Sequence, residues 1–193
     1  MSFQRKHRKH GILCAFVATA LAWGYLLLFT PNVFAFQLFG CKWPTVNINV
    51  SYTALDSKHL TAYNGAKADW DSNTILVLGS GSPTNVQVTS SNYGNTGWSG
   101  IADGSTTCPP AGQYGGGKQI RINKYYTDSF SANLLKSTIT HELGHSFGLA
   151  HSGDDKTPCN SVVIMNHYGG RHQDCAVWTT QIDDRNGINF NYQ

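Results

Sequence analysis

One glutamate stands against ten aspartates in this 193-residue chain, and only one methionine, Met165, follows the initiator. Charged side chains make up 13% of the residues, while Gly, Ser, Thr, Asn and Tyr are plentiful. That balance is common in proteins that work outside the reducing cytosol. No CxxC spacing occurs, which argues against a thiolate metal site. No internal repeat or low-complexity tract breaks the chain, so one domain is the expectation. Basic excess is also missing where it would matter. Arg5, Lys6, Arg8 and Lys9 all precede residue 36 and no acid accompanies them, so a balance of 14 cations to 11 anions becomes 10 to 11 beyond that point. Nothing there suggests a nucleic-acid partner.

The one long apolar run, Ile12 to Phe29, follows "RKHRK" and leads into Pro31 and "VFA", Val33 to Ala35. A basic start, an apolar centre and a small-residue exit read as an export signal over residues 1–35, leaving 36–193 as the working domain. The run is also long enough to span a bilayer, so an uncleaved anchor is the alternative. Either way residues 36–193 face the outside, secreted or tethered, with a single copy as the default. Cys14 lies in the apolar run, leaving Cys41, Cys108, Cys159 and Cys175. Four cysteines in an exported chain read as two disulfides with three connectivities open. Pairing Cys41 with Cys108 and Cys159 with Cys175 is favoured, because the second bridge closes a short loop at small entropic cost.

"PTVNINVSYTAL", Pro44 to Leu55, alternates Val46, Ile48, Val50 and Tyr52 with polar residues, the pattern of a half-buried strand. Asp56 or Ser57 can cap a helix running to Trp70, with Leu60, Tyr63, Ala66, Lys67 and Trp70 at helical spacing. Thr74–Ser80 and Asn85–Ser91 read as strands about a Gly/Ser/Pro turn. The glycine-rich stretch from Asn92 to Gly117 reads as loops around one short strand at Trp98–Ala102, and Gln119–Asn123 as the next strand. Ser131 opens the most helical segment, with Leu135, Ile139, Leu143 and Ser146 on one stripe and a stop at Gly148. A last helix is expected near Thr179–Phe190, capped by Thr179 or Thr180. Strands interleaved with helices give an α/β or α+β layered domain.

"HELGHSFGLAH", His141 to His151, carries the chemistry. At about 100° per residue, His141 and His145 stand one turn apart on the same helix face, so two imidazoles can reach one ion. A catalytic zinc needs three protein ligands and an open position. His151 can supply the third if the chain turns sharply at Gly148, a residue that tolerates left-handed backbone. Glu142 is offset around the helix and points beside the ion, where its carboxylate can take a proton from an activated water.

The full HExxHxxGxxH pattern with a later methionine resembles the metzincin metallopeptidases. Carried over, His141, His145 and His151 are ligands of a zinc ion, Glu142 is the catalytic base, Gly148 makes the turn and Met165 forms an apolar floor. Ser152 resembles the matrixin branch, as does the layout over roughly residues 44 to 190. The resemblance implies a twisted mixed sheet of about five strands, an active-site helix, a second sheet-packing helix and a C-terminal helix. It implies hydrolysis of protein or peptide substrates, with Trp98–Ala102 as the antiparallel edge that binds them by strand addition. The chain beyond Met165, including Tyr168, then walls the pocket.

Three features depart from the family. There is no "PRCGxPD"-like latency segment. His167 stands two residues after the methionine, where astacin-like members carry tyrosine, and Tyr168 comes one later. The loop "GDDKTPCN" separates the zinc motif from Met165. Asp154 and Asp155 in that loop could contribute to a calcium (Ca2+) site, but an Asp pair in a loop is more often solvated or capping. His59 and His172 read as surface residues. Tyr93, Trp98, Tyr114, Tyr125 and Tyr126 could line a groove, and packing explains most of them as well.

Overall fold

Ile48 and Val50 are fully buried while Asn47 is exposed, so the alternation in the first polar-apolar stretch does form a half-buried strand. In the computed structural model, which describes residues 36–104, 108, 110 and 112–193, that strand is β2, Asn47–Thr53. The expected export segment lies outside the described residues. Around β2 the sheet runs β3 (Val77–Gly79), β2, β4 (Val86–Ser91), β6 (Lys118–Asn123), β5 (Gly100–Asp103). Pairings are parallel except β5 with β6, which is antiparallel. Val86, Val88, Ile120 and Ile122 are fully buried at alternate positions. Burial of each such side chain is worth roughly 1.5–3 kcal/mol.

Helix α1, Ser57–Asn73, is capped by Asp56, whose side chain accepts from the His59 N–H. It buries Ala62, Tyr63, Ala66 and Trp70, with Leu60 and Lys67 flanking that face. His59 is buried as well, contrary to the surface assignment. Its Nδ1 meets Asp56 Oδ1 at 2.9 Å and its Nε2 meets Thr127 Oγ1 at 3.0 Å, so both polar atoms are satisfied inside the fold. Thr127 belongs to a one-turn helix, α2 (Lys124–Thr127), that periodicity did not reveal.

Ser131 caps α3, Ala132–Ser146, through the Leu134 N–H. Leu135, Ile139, Leu143 and Ser146 are fully buried, so the apolar stripe packs inward against α1 and the sheet. After the turn at Gly148, β7 (Leu149–Ala150) pairs antiparallel with β1 (Gln37–Leu38). A 3-10 turn at Cys159–Ser161, helix α4 (Gly169–Asp174) and helix α5 (Ile182–Asn191) complete the order. The cap of α5 is Gln181, one or two residues later than expected, because Asp184 accepts from the Gln181 N–H at 2.7 Å and fixes the start there. Cys41 is bonded to Cys108 and Cys159 to Cys175. No helix among the described residues is long and apolar enough to cross a membrane.

Candidate metal centre and cleft

Two indoles seat the histidine helix. Trp70 Nε1 donates to the Thr140 carbonyl and Trp43 Nε1 to the Ser146 carbonyl, both at 2.9 Å, on either side of His141 and His145. His151 joins them because the chain reverses at Gly148, whose φ of +102° suits glycine. A Cβ there would stand 2.2 Å from the Cys41 carbonyl oxygen.

The nitrogen inventory tests whether an ion fits. His141 Nδ1 lies 2.7 Å from the Ile164 carbonyl and His145 Nδ1 lies 2.8 Å from the Leu149 carbonyl. A carbonyl only accepts, so both Nδ1 atoms carry protons and both Nε2 atoms present lone pairs. Those lone pairs face His151 Nε2 at 3.2 and 3.0 Å. A single proton on His151 could answer only one of them. A zinc ion with Zn–N bonds of about 2.0–2.1 Å in tetrahedral geometry sets its ligand nitrogens about 3.3 Å apart. His141, His145 and His151 therefore form a group fit for that metal.

Burial, with further contributions from the neighbouring histidines, depresses the pKa of His141 and His151, and burial lowers that of His145 to about 4. Neutral imidazoles ready to donate lone pairs are the result. Glu142 is 7% exposed beside them. Burial pushes its carboxyl up to about 8, against the Ala102 N–H, which donates to it. Gly100 makes room for it: a Cβ there would come within 2.8 Å of Glu142 Cγ. The edge strand β5 thus contacts the acid through Gly100 and Ala102.

Met165 is buried beneath this helix. A Cβ on Gly144 would meet Met165 Sδ at 2.4 Å, so the small residue between the two histidines is what admits the thioether. The Met165 carbonyl accepts from the Ser152 N–H at 2.8 Å, tying its turn to the residue after His151. From α5, Asp184 accepts from the Ile164 N–H at 2.9 Å and the Met165 N–H at 3.1 Å. The sequence pattern does not single out Asp184 as a support of this turn. Its "QIDD" context hinted only at a cap.

A cavity of about 270 Å³ opens beside Glu142, and Trp98, Gly100, His167, Gly169 and His172 are among the residues that line it. Tyr168, expected in the wall, is 47% exposed and packs its ring on that of His167 at 5.0 Å. Of the candidate groove aromatics, Trp98 lines the cavity and Tyr114 is buried at 3% exposure. Tyr93 and Trp98 flank the Arg121 guanidinium. Asp154 spends its carboxylate on the turn, accepting from the Lys156 N–H and from Thr157 Oγ1. A second group, Asp56, His59 and Asp128, has the spacing for an ion. Lys124 Nζ already sits 2.6 Å from Asp56 Oδ2 there.

His172 is 3% exposed, not on the surface, and bonds Ser137 Oγ through Nδ1 at 3.0 Å. Burial lowers its pKa to about 4, with the nearby Val163 and Ile164 carbonyls pulling the other way. The unfolded histidine titrates near 6.5, so between those values the unfolded chain binds more protons and stability rises with pH. Metal-free protein is expected to lose up to about 3 kcal/mol from this residue as pH falls from about 6.5 to 4. Denaturant unfolding across that range checks it. His172→Gln should flatten the slope, and an unchanged slope would refute the assignment.

Fold and histidine group together define a zinc-dependent metallopeptidase of the metzincin class. Residues 52–152, just over half of the chain, match the family model described as "Metallo-peptidase family M12B Reprolysin-like", and the chain belongs to that family. Its structure is similar to that of high choriolytic enzyme 1, a hatching enzyme zinc-protease from Oryzias latipes (Medaka fish). The TM-score is 0.51 at 15% identity, over 79% of this chain and 94% of that one. Two structures of myroilysin also align, at TM-scores of 0.43 and 0.42 and identities of 17% and 15%, covering 60% and 72% of this chain. The chain spans 54% and 66% of those two. The likeness to the hatching enzyme is one of fold, and none of these matches specifies the matrixin branch. No curated protein was matched.

Proposed function

We propose that residues 36–193 form an exported endopeptidase, secreted once residues 1–35 are removed, in which His141, His145 and His151 hold one zinc ion and Glu142 is the general base. The observation that carries this reading is the convergence of three Nε2 atoms beside a buried carboxyl on the wall of an open cleft. The zinc ion, when bound, polarises the scissile carbonyl and brings the pKa of a water molecule close to neutrality.

The chain's own residues do the rest. An extended substrate adds to the outer edge of β5, which borders the cleft, and so presents its peptide bond between that edge and the histidines. The charge of an ion held by the three neutral histidines would favour the ionised form of Glu142 against the burial that opposes it. Its carboxylate takes the proton from the attacking water and hands it to the leaving amine as the peptide bond breaks. Met165 supports the histidines from below, and Gly148 sets the turn that aims His151. Two disulfides suit an oxidising compartment, which supports export. Matrixin-like character rests on Ser152 and on the layout over roughly residues 44 to 190.

Incubating the purified protein with a diverse peptide pool, with and without a zinc chelator, tests the reading. Cleavage that the chelator stops and added zinc restores is expected. Zinc binding without any cleavage would leave a binding module in place of a peptidase.

A further inference from the structure

Each ligand imidazole has an outer nitrogen, and the three outer nitrogens are not treated alike. Those of His141 and His145 donate to the main-chain carbonyls of Ile164 and Leu149, partners that no substitution removes. That of His151 lies 2.8 Å from Nδ1 of another side chain, His167. The two rings meet nearly at right angles, 84°, with centroids 4.4 Å apart.

We propose that His167 is the positioning residue of the metal centre: it accepts the His151 Nδ1–H and thereby fixes the tautomer, aim and basicity of the third ligand. The inference rests on the reading that the three histidines hold zinc. Proton counting carries it. A neutral His151 that offers its Nε2 lone pair to a cation keeps its only proton on Nδ1. The facing His167 Nδ1 must then be the acceptor, so the proton of His167 resides on its Nε2. Hydrogen-bond partners of this kind, on the far side of a ligand imidazole, are worth about 10- to 100-fold in metal affinity.

The backbone supports the arrangement. Asn166, immediately before His167, is fully buried and donates through Nδ2 to the Asp154 carbonyl at 3.1 Å, while its Oδ1 accepts from the Tyr168 N–H at 2.9 Å. The residues on both sides of His167 are therefore anchored, while His167 itself is exposed on the cleft side. An exposed side chain on an anchored turn can be replaced without opening the core.

The zinc dissociation constant, measured by competition with a fluorescent chelator, is compared among wild type, His167→Ala and His167→Asn. Thermal unfolding of each metal-free form is recorded alongside. His167→Ala is expected to bind zinc about 10- to 100-fold more weakly with an unchanged metal-free midpoint. His167→Asn, whose Oδ1 falls where the accepting nitrogen sits, is expected to recover most of that loss. Equal affinity in wild type and His167→Ala overturns the proposal, as does His167→Asn binding as weakly as His167→Ala. Wild type that takes up no zinc would instead defeat the underlying metal-site reading.

Discussion

Glu142→Gln is expected to lower kcat/KM by about a hundredfold to ten-thousandfold, the range a positioned general base contributes, while zinc stoichiometry stays at the wild-type level. The amide keeps the shape of the acid and can still accept from the Ala102 N–H through its oxygen. It cannot take a proton from water. Gly100 lies close against the side chain, since a Cβ there would come within 2.9 Å of Glu142 Oε1. Folding should be unaffected or slightly favoured, because a buried ionisable group is replaced by a neutral one. Steady-state kinetics with zinc analysis of the same samples decide it. A variant within tenfold of wild type would sink the role.

Gly148→Ala is expected to be the most damaging substitution outside the histidine group. Two costs add there: alanine at φ +102° is strained, and its Cβ would meet the Cys41 carbonyl at 2.2 Å and the Asn191 amide at 2.7 Å. Neither neighbour moves easily, as Cys41 is buried and disulfide-bonded and Asn191 Nδ2 donates to the Cys41 carbonyl. A loss of about 4 kcal/mol or more and weakened zinc binding follow. Gly94→Ala separates the two costs. Gly94 also has positive φ, +75°, but open space around it, so its replacement should cost only about 1 kcal/mol. Thermal unfolding of both variants, with zinc titration, tests the comparison. Equal effects would mean that the close approach at Gly148 does not matter.

Much of this was legible because it is local. Alternating apolar residues gave the sheet strands, the Leu135–Ile139–Leu143 stripe gave α3, and the spacing of His141, Glu142, His145, Gly148 and His151 carried the site. What escaped depends on contacts far along the chain or on elements too short for a period. Two-residue strands such as β1 and β7 have no alternation to read, and α4 is a single turn and a half. His172 looked superficial because its partner, Ser137, is 35 residues away. His59 was misjudged for a different reason, since Asp56 three residues earlier was a readable cap and only Thr127 was remote. Gly100 and Gly144 seemed ordinary in sequence, and only the packed neighbours reveal why a side chain would be refused.

The carbonyl of Phe147, just before the turn that carries His151, accepts from Tyr192 Oη at 3.1 Å and from Asn191 Nδ2 at 3.4 Å. Lys42 Nζ reaches the Asn191 carbonyl at 2.7 Å, and Tyr192 Oη also accepts from the Trp43 N–H at 3.2 Å. Unwinding the final turn of α5 is therefore expected to loosen residues 41–43 together with the reversal beside the histidine group. Amide exchange at the last turn of α5 is expected to slow as metal occupancy rises, although no residue of that turn belongs to the histidine group.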